Sequence, residues 1–247
     1  MSVAARQLRS GVGVLLVAGL AAGAAHGQQG TQNFAGETRE GGREEDFRRA
    51  SPSRIVAAEL AFARAAQELG QWTAFAEYAA RDAVMFVPEP VRAQDWLRKR
   101  ANPPQAVRWQ PHQVWASCDG SLAVTRGAWQ RPDGSVGYFT TVWQRQEKEK
   151  DGYRWVLDQG DALPEPLAAP EMIEAKVAEC PRPMQHDAVI LDPPACTAQG
   201  CSGGGRSGDD TLEFRYETRP DGARAFRVSM MVDGRMEEVL LSEVAAG

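Results

Sequence analysis

Residues 107–158 read VRWQPHQVWASCDGSLAVTRGAWQRPDGSVGYFTTVWQRQEKEKDGYRWVLD, and the turn residues divide this stretch into four strands. Val107 to Ser117 stops at Asp119-Gly120, Leu122 to Gln130 at Pro132-Asp133-Gly134, and Val136 to Gln146 at Asp151-Gly152, with Tyr153 to Asp158 closing the set. Each Asp-Gly supplies a residue tolerant of positive φ, which a tight hairpin needs, so neighbouring strands are expected to pair antiparallel.

Working outward toward the N-terminus, Ser51-Pro52-Ser53 precedes a run with Ile55, Leu60, Phe62 and Leu69 among many alanines. This predicts an N-capped amphipathic helix that ends at Gly70. Trp72, Phe75 and Tyr78 recur at spacing three and predict a second short helix. Asp82 to Val87 reads as a strand stopped by Pro88 and Pro90, and Ala93 to Arg100 as a third helix ending before Pro103 and Pro104. Helices followed by an antiparallel meander give an α+β class.

On the C-terminal side, Pro164, Pro166 and Pro170 mark a linker over residues 164–185, with a short helix expected from Glu171 to Glu179. Residues 186–247 form a second unit. There His186 to Leu191 reads as a strand and Cys196 to Asp210 as a Gly-rich loop. Leu212 to Thr218, Arg224 to Val232 and Met236 to Val244 read as three strands joined by Pro220-Asp221-Gly222 and Asp233-Gly234. A meander of this size buries little alone, so it is expected to be clipped by a disulfide or to lie against the first unit.

The first residues carry Arg6 and Arg9, the apolar run Val12 to Ala22, and small residues through Ala25-His26-Gly27. That order is the pattern of a signal peptide over residues 1–27, and the apolar run is too short for a spanning helix; a signal anchor is the rival reading. A polar linker, residues 28–51, follows. The expected location is periplasmic or secreted, with no stable membrane span after cleavage. The formal charge is −5 and becomes more acidic once both signal arginines are removed, which argues against a nucleic-acid partner. Four cysteines in an exported chain permit three pairings; Cys196 with Cys201 and Cys118 with Cys180 is favoured. Zinc is disfavoured, because no paired Cys-x-x-Cys spacing occurs and only His112 and His186 remain after the signal; no cofactor is expected.

The order of elements across Pro52 to Asp161 resembles the nuclear transport factor 2-like superfamily, and within it the SnoaL-like and ketosteroid isomerase-like domains. The strings that carry the resemblance are Asp82-Ala83-Val84-Met85, Cys118 to Gly127, Tyr138-Phe139-Thr140-Thr141-Val142-Trp143 and Gly152 to Asp158. It covers less than half of the chain. It implies a cone over residues 52–163, in which a strongly curved antiparallel sheet wraps three helices around an apolar pocket, often with a homodimer through the sheet. Fold does not name an activity.

Candidate chemistry centres on the aromatic set. Trp72, Met85, Phe86, Trp96, Trp115, Trp129, Phe139, Thr141 and Trp143 are the candidate ligand-binding residues, suited to a small apolar ligand, with plain core packing as the rival. If the cavity takes the side of Asp158, that carboxylate can act as acid or base with its pKa raised by apolar surroundings; otherwise it caps a turn or pairs with Arg126 or Arg154. Asp82 and His112 are further candidates. The isomerase residues are not carried over, since Tyr78, Tyr138 and Tyr153 offer phenols without an identifying spacing. The leading expectation is a non-catalytic envelope protein that binds a small apolar ligand or a protein partner. The alternatives are an isomerase or cyclase-type lyase using Asp158, and a structural module whose second unit docks on the sheet.

Overall fold

The computed structural model describes residues 49–146, 152–180 and 187–246, so the expected signal peptide, most of the polar linker and His186 lie outside the described residues. Three helices, α1 (Pro52–Leu69), α2 (Gln71–Tyr78) and α3 (Ala93–Leu97), pack on one face of a seven-stranded sheet. Its strands are β1 (Ala79–Phe86), β2 (Pro90–Arg92), β3 (Arg108–Ala116), β4 (Leu122–Gln130), β5 (Val136–Arg145), β6 (Tyr153–Leu163) and β7 (Glu174–Val177), in the order β2-β1-β6-β5-β4-β3-β7. A second sheet holds β8 (Ile190–Thr197), β9 (Gly200–Arg206), β10 (Leu212–Thr218), β11 (Arg224–Val232) and β12 (Arg235–Val244), in the order β12-β11-β10-β9-β8. The class is α+β, as the sequence predicts.

In α1 the residues Ile55, Glu59, Phe62 and Ala66 recur at helical spacing and are all buried, so one face is committed to the core although a carboxylate interrupts it. Gly70 separates α1 from α2 at φ +100°, and a Cβ there would meet the Asn102 side chain at 2.3 Å. Asn102 uses that space to cap α2, its Oδ1 accepting from the backbone of Trp72 at 2.7 Å and Thr73 at 3.1 Å.

The meander β3-β4-β5-β6 is antiparallel, while both flanking additions are parallel: β1 pairs with β6 and β7 with β3. Register slips occur between Pro111 and Gln113 and again opposite Val142 and Trp143. Such bulges bend and twist a strand, which lets the sheet curve around the helices. Its concave face forms one core with Phe62, Ala74, Trp143 and Trp155; its convex face forms another with Leu212, Phe214, Phe226 and Val228 of the second sheet. The sheet face on which a homodimer was expected is therefore covered by the chain's own C-terminal strands.

The N-cap expected at Ser51 does not form, since its hydroxyl meets that of Ser53 at 3.1 Å and caps no backbone amide of α1. Two further sequence expectations change here. The helix expected over Glu171 to Glu179 is instead β7, because the β3 edge offers a ladder that outweighs the helical propensity of Glu-Ala-Lys, and the Cys118–Cys180 disulfide pins its end. The Gly-rich loop expected over Cys196 to Asp210 is largely β9. Its glycines make room for a neighbour: a Cβ on Gly203 would lie 2.4 Å from the Tyr216 hydroxyl. Both disulfides join the favoured pairs, with 62 residues of separation for Cys118–Cys180 and 5 for Cys196–Cys201. No helix among the described residues is long and apolar enough to cross a membrane.

Loop-closure entropy ranks the two bridges. Replacing Cys118 and Cys180 by serine should lower stability by about 4 kcal/mol, and replacing Cys196 and Cys201 by about 2 kcal/mol, in urea titrations of the oxidised protein. The reverse order would contradict this.

Candidate functional site

Between the helices and the concave face lies a cavity of about 510 Å³. Its wall is aromatic, with Phe62, Trp72, Phe75, Phe86, Trp109, Trp129 and Phe139, and its polar lining includes Gln71, Arg131, Asp158, Gln159 and Asp161. The rings brace one another at edge contacts: Phe62 and Phe75 at 4.8 Å, Phe62 and Trp109 at 4.8 Å, Trp72 and Phe75 at 5.5 Å. Edge-to-face pairs hold a shaped surface that neither ring could hold alone.

A bulge decides which carboxylate enters. Trp143 pairs with Trp155 but Val142 pairs with Leu157, so Val156 is the extra residue on β6. Strict alternation would put Trp155 and Asp158 on opposite faces. With the insertion, Trp155 stays in the inner core, Val156 and Leu157 turn outward, and Asp158 comes back to the cavity side.

Asp158 accepts a hydrogen bond from Thr141 Oγ1 at 2.9 Å, across the β5–β6 ladder where the two residues are register partners. Burial among apolar groups pushes its pKa up to about 7; the neighbouring Glu59 charge adds to the rise and the Thr141 bond opposes it. Neither Arg126 nor Arg154 neutralises it. Arg126 lies over the Tyr138 ring on the opposite face, and Arg154 donates to the Glu77 carbonyl.

Glu59 is the feature that sequence reasoning missed. It is fully buried on α1, and its Oε1 accepts from Trp109 Nε1 at 2.7 Å while Oε2 accepts from Thr125 Oγ1 at 2.6 Å and Trp143 Nε1 at 3.0 Å. Burial raises its pKa, and the three donors oppose that rise. When Glu59 is protonated it can donate through Oε2 to Thr125, whose hydroxyl then turns to the Thr141 carbonyl at 3.4 Å. A carboxylate at the centre of an apolar helical stripe was the available signal. Gln71, Arg131 and Asp161 carried no comparable signal.

Of the candidate ligand-binding residues, Trp72, Met85, Phe86, Trp129 and Phe139 line the cavity. The others lie elsewhere. Trp96 stands behind Trp72 at 5.1 Å, Trp143 is buried beneath the wall with Glu59, and Thr141 supports Asp158. Trp115 is on the convex face, inside the core between the sheets. Asp82 is not at the cavity: it is exposed and paired with Arg92 at 2.5 Å. His112 is buried away from the cavity lining, its ring nitrogens have no partner among the described residues, and burial lowers its pKa. Tyr138 and Tyr153 turn their hydroxyls to Ser242 and to the Gly120 carbonyl. Among the described residues no cluster of His, Cys, Asp or Glu could hold a metal ion.

No protein-family model matches the chain, and no curated protein does. Among solved structures it is similar to a Novosphingobium aromaticivorans protein provisionally named an aromatic ring hydroxylase (15% identity, 46% of this chain and 91% of that one, TM-score 0.33). It is also similar to the CaMKII hub of S. rosetta (16% identity, 46% and 98%, TM-score 0.35). A third is an ntf2-like protein of unknown function from Mesorhizobium loti (17% identity, 45% and 92%, TM-score 0.29). At these scores none of the three assigns an activity.

Two outcomes follow from the buried acids. Between pH 4 and about 7 the folded chain keeps a proton on Asp158 that the unfolded chain has released, so stability from this site is full at the acid end and falls as pH rises. Thermal melts of Asp158→Asn should lack this fall; superposable profiles would refute the raised pKa. Glu59→Leu strands two indole donors and one hydroxyl and should lower stability by about 3 kcal/mol or more, whereas Glu59→Gln, which keeps an acceptor, should cost clearly less in the same melts.

Proposed function

We propose that the chain is an exported, cofactor-independent acid–base protein of the nuclear transport factor 2-like kind, which binds a small, flat, mostly apolar molecule in the cavity and moves a proton with Asp158. The observation that carries this reading is that Asp158 opens on the aromatic cavity with its pKa pushed up to about 7. A general acid–base group works best when its pKa lies near the working pH, since both protonation states are then populated. The cavity volume suits a small ligand, and its rings supply flat contact area.

In this reading Asp158 removes a proton from a carbon beside a carbonyl, and the electron pair moves to the carbonyl oxygen as an enolate. The protonated Asp158 returns the proton at another carbon, giving isomerisation, or the enolate expels a leaving group, giving a lyase. Arg131, the cation in the lining, supplies charge of the sign that the oxyanion needs. The two disulfides support an oxidising compartment and hence a periplasmic or secreted location.

Binding without turnover is a second reading, favoured by a specific observation. Two of the indole donors at the wall are already used, Trp109 by Glu59 and Trp129 by the Tyr138 carbonyl, which leaves few polar groups to stabilise a developing charge.

β-Tetralone, a flat bicyclic ketone, separates the two. In deuterated buffer the protein should speed exchange of its α-protons, with a rate that rises through pH about 7. Asp158→Asn should lose about a hundredfold or more of that rate, followed by proton NMR. Unchanged exchange in the variant defeats the acid–base assignment; quenching of tryptophan fluorescence by the ketone without any exchange leaves binding alone.

A further inference from the structure

Two turns of the second sheet match two turns of the first. The turn after β3 is Ser117-Cys118-Asp119-Gly120-Ser121-Leu122, and the turn after β9 is Ser207-Gly208-Asp209-Asp210-Thr211-Leu212. In each, the first serine hydroxyl donates to the aspartate Oδ1 at 2.7 Å, and that same Oδ1 accepts from the backbone of Ser121 or Thr211. Each serine backbone N–H donates to the closing leucine carbonyl, at 2.9 Å and 2.8 Å. The fourth position takes positive φ in both, Gly120 at 66° and Asp210 at 57°, although only the first is glycine. The next turns are Arg131-Pro132-Asp133-Gly134 and Arg219-Pro220-Asp221-Gly222, again with the same bonds.

The strand between the two turns is two residues shorter in the second copy, and a two-residue difference leaves the alternation of faces intact. Strand order corresponds as well, β6-β5-β4-β3 against β12-β11-β10-β9. Leu122 and Val124 of β4 and Leu212 and Phe214 of β10 share one core between the sheets.

The contacts between the copies are reciprocal. Cys118 N–H donates to Thr211 Oγ1 at 2.9 Å, and its counterpart Gly208 N–H donates to Ser121 Oγ at 3.0 Å. In an interface between identical subunits related by a two-fold axis, residue i meets j and j meets i. We infer that residues 200–232 are a degenerate second copy of the 108–145 meander, docked on the convex face in the manner of a two-fold-related subunit, so that this chain carries its partner within itself.

The built-in partner also supports the cavity wall, whatever the cavity binds. Tyr216 meets Phe86 at 5.2 Å, and Arg224 donates to the Gly160 carbonyl; Phe86 and Gly160 both belong to the lining. The partner that this surface fits is therefore a segment of the same chain.

Amide exchange by NMR on the full chain tests this. The Cys118 and Gly208 amides should exchange slowly, and equally so at micromolar and millimolar protein, because docking within one chain does not depend on concentration. Ser121→Ala should speed exchange at Gly208 but not Cys118, and Thr211→Ala at Cys118 but not Gly208, each by about tenfold. The double exchange Ser121→Thr with Thr211→Ser, which keeps both hydroxyls, should retain both protections and provides a folded comparison. Protection lost on dilution would mean that the second sheet comes from another molecule, and loss of protection in the exchanged pair would mean that the two turns are not equivalent; either overturns the inference.

Discussion

A sheet that is apolar on both faces must be covered on both, and the rest of this molecule follows from that requirement. The middle of β5 is buried at every position from Gly137 to Trp143, and β4 is buried from Leu122 to Thr125. Phe139 and Trp143 need a cover on the inside, which the three helices provide. Val124 and Val142 need one on the outside. Had the chain stopped near Pro164, the convex face with Trp115, Leu122, Val124, Val142 and Val156 would have been exposed as one apolar patch, of the kind that soluble monomers rarely carry.

Within that two-sided sheet, the bulge at Val156 has the largest chemical effect. One inserted residue moves Asp158 from the outer face to the inner side, where Thr141 and open volume meet it. The inner side is still expensive for a charge. Glu59 has three hydrogen-bond donors to offset its burial, whereas Asp158 has the Thr141 hydroxyl and an opening toward the cavity, so the two acids meet the same cost in different ways. The Glu59 charge adds to the burial that raises the pKa of Asp158, so the inner carboxylate is part of the reason that Asp158 holds its proton so far above the ordinary range.

Local chemistry was the part of this structure most legible in the sequence. The turns at Gly120, Gly134, Gly222 and Gly234, the helix start at Pro52 and the stop at Gly70 depend on residues close along the chain, and each appears where the residues predict it, while the turn expected at Asp151-Gly152 lies partly outside the described residues. Long-range pairing was not legible. That β1 joins β6 in parallel, that Glu174 to Val177 joins the β3 edge, and that Tyr216 occupies the space over Gly203 depend on partners far away in the chain. Alternation alone could not show which face of β3 takes Trp115, nor that an insertion would shift Asp158 relative to Trp155. Two signals were present but lie outside a reading by single elements: a glutamate in the stripe Ile55, Glu59, Phe62, Ala66, and the recurrence of Ser-x-Asp-x-Ser/Thr-Leu followed by Arg-Pro-Asp-Gly.

The position of one disulfide makes sense in the light of that recurrence. Cys118 sits inside the first of the two matched turns, its own backbone N–H donating to Thr211 Oγ1, and its partner Cys180 follows β7. The bridge therefore fixes the incoming chain next to the point where the copies meet. From there Glu179 already bonds to Met231 and to Gly234, so the second meander starts its docking from a tethered position. A tether converts association into an intramolecular step whose effective concentration is set by the link and not by the amount of protein in solution. Two free copies would uncover their convex faces on dilution. A copy held by Cys118–Cys180 stays docked, and with it stay Phe86 and Gly160 in the wall of the cavity that Asp158 faces.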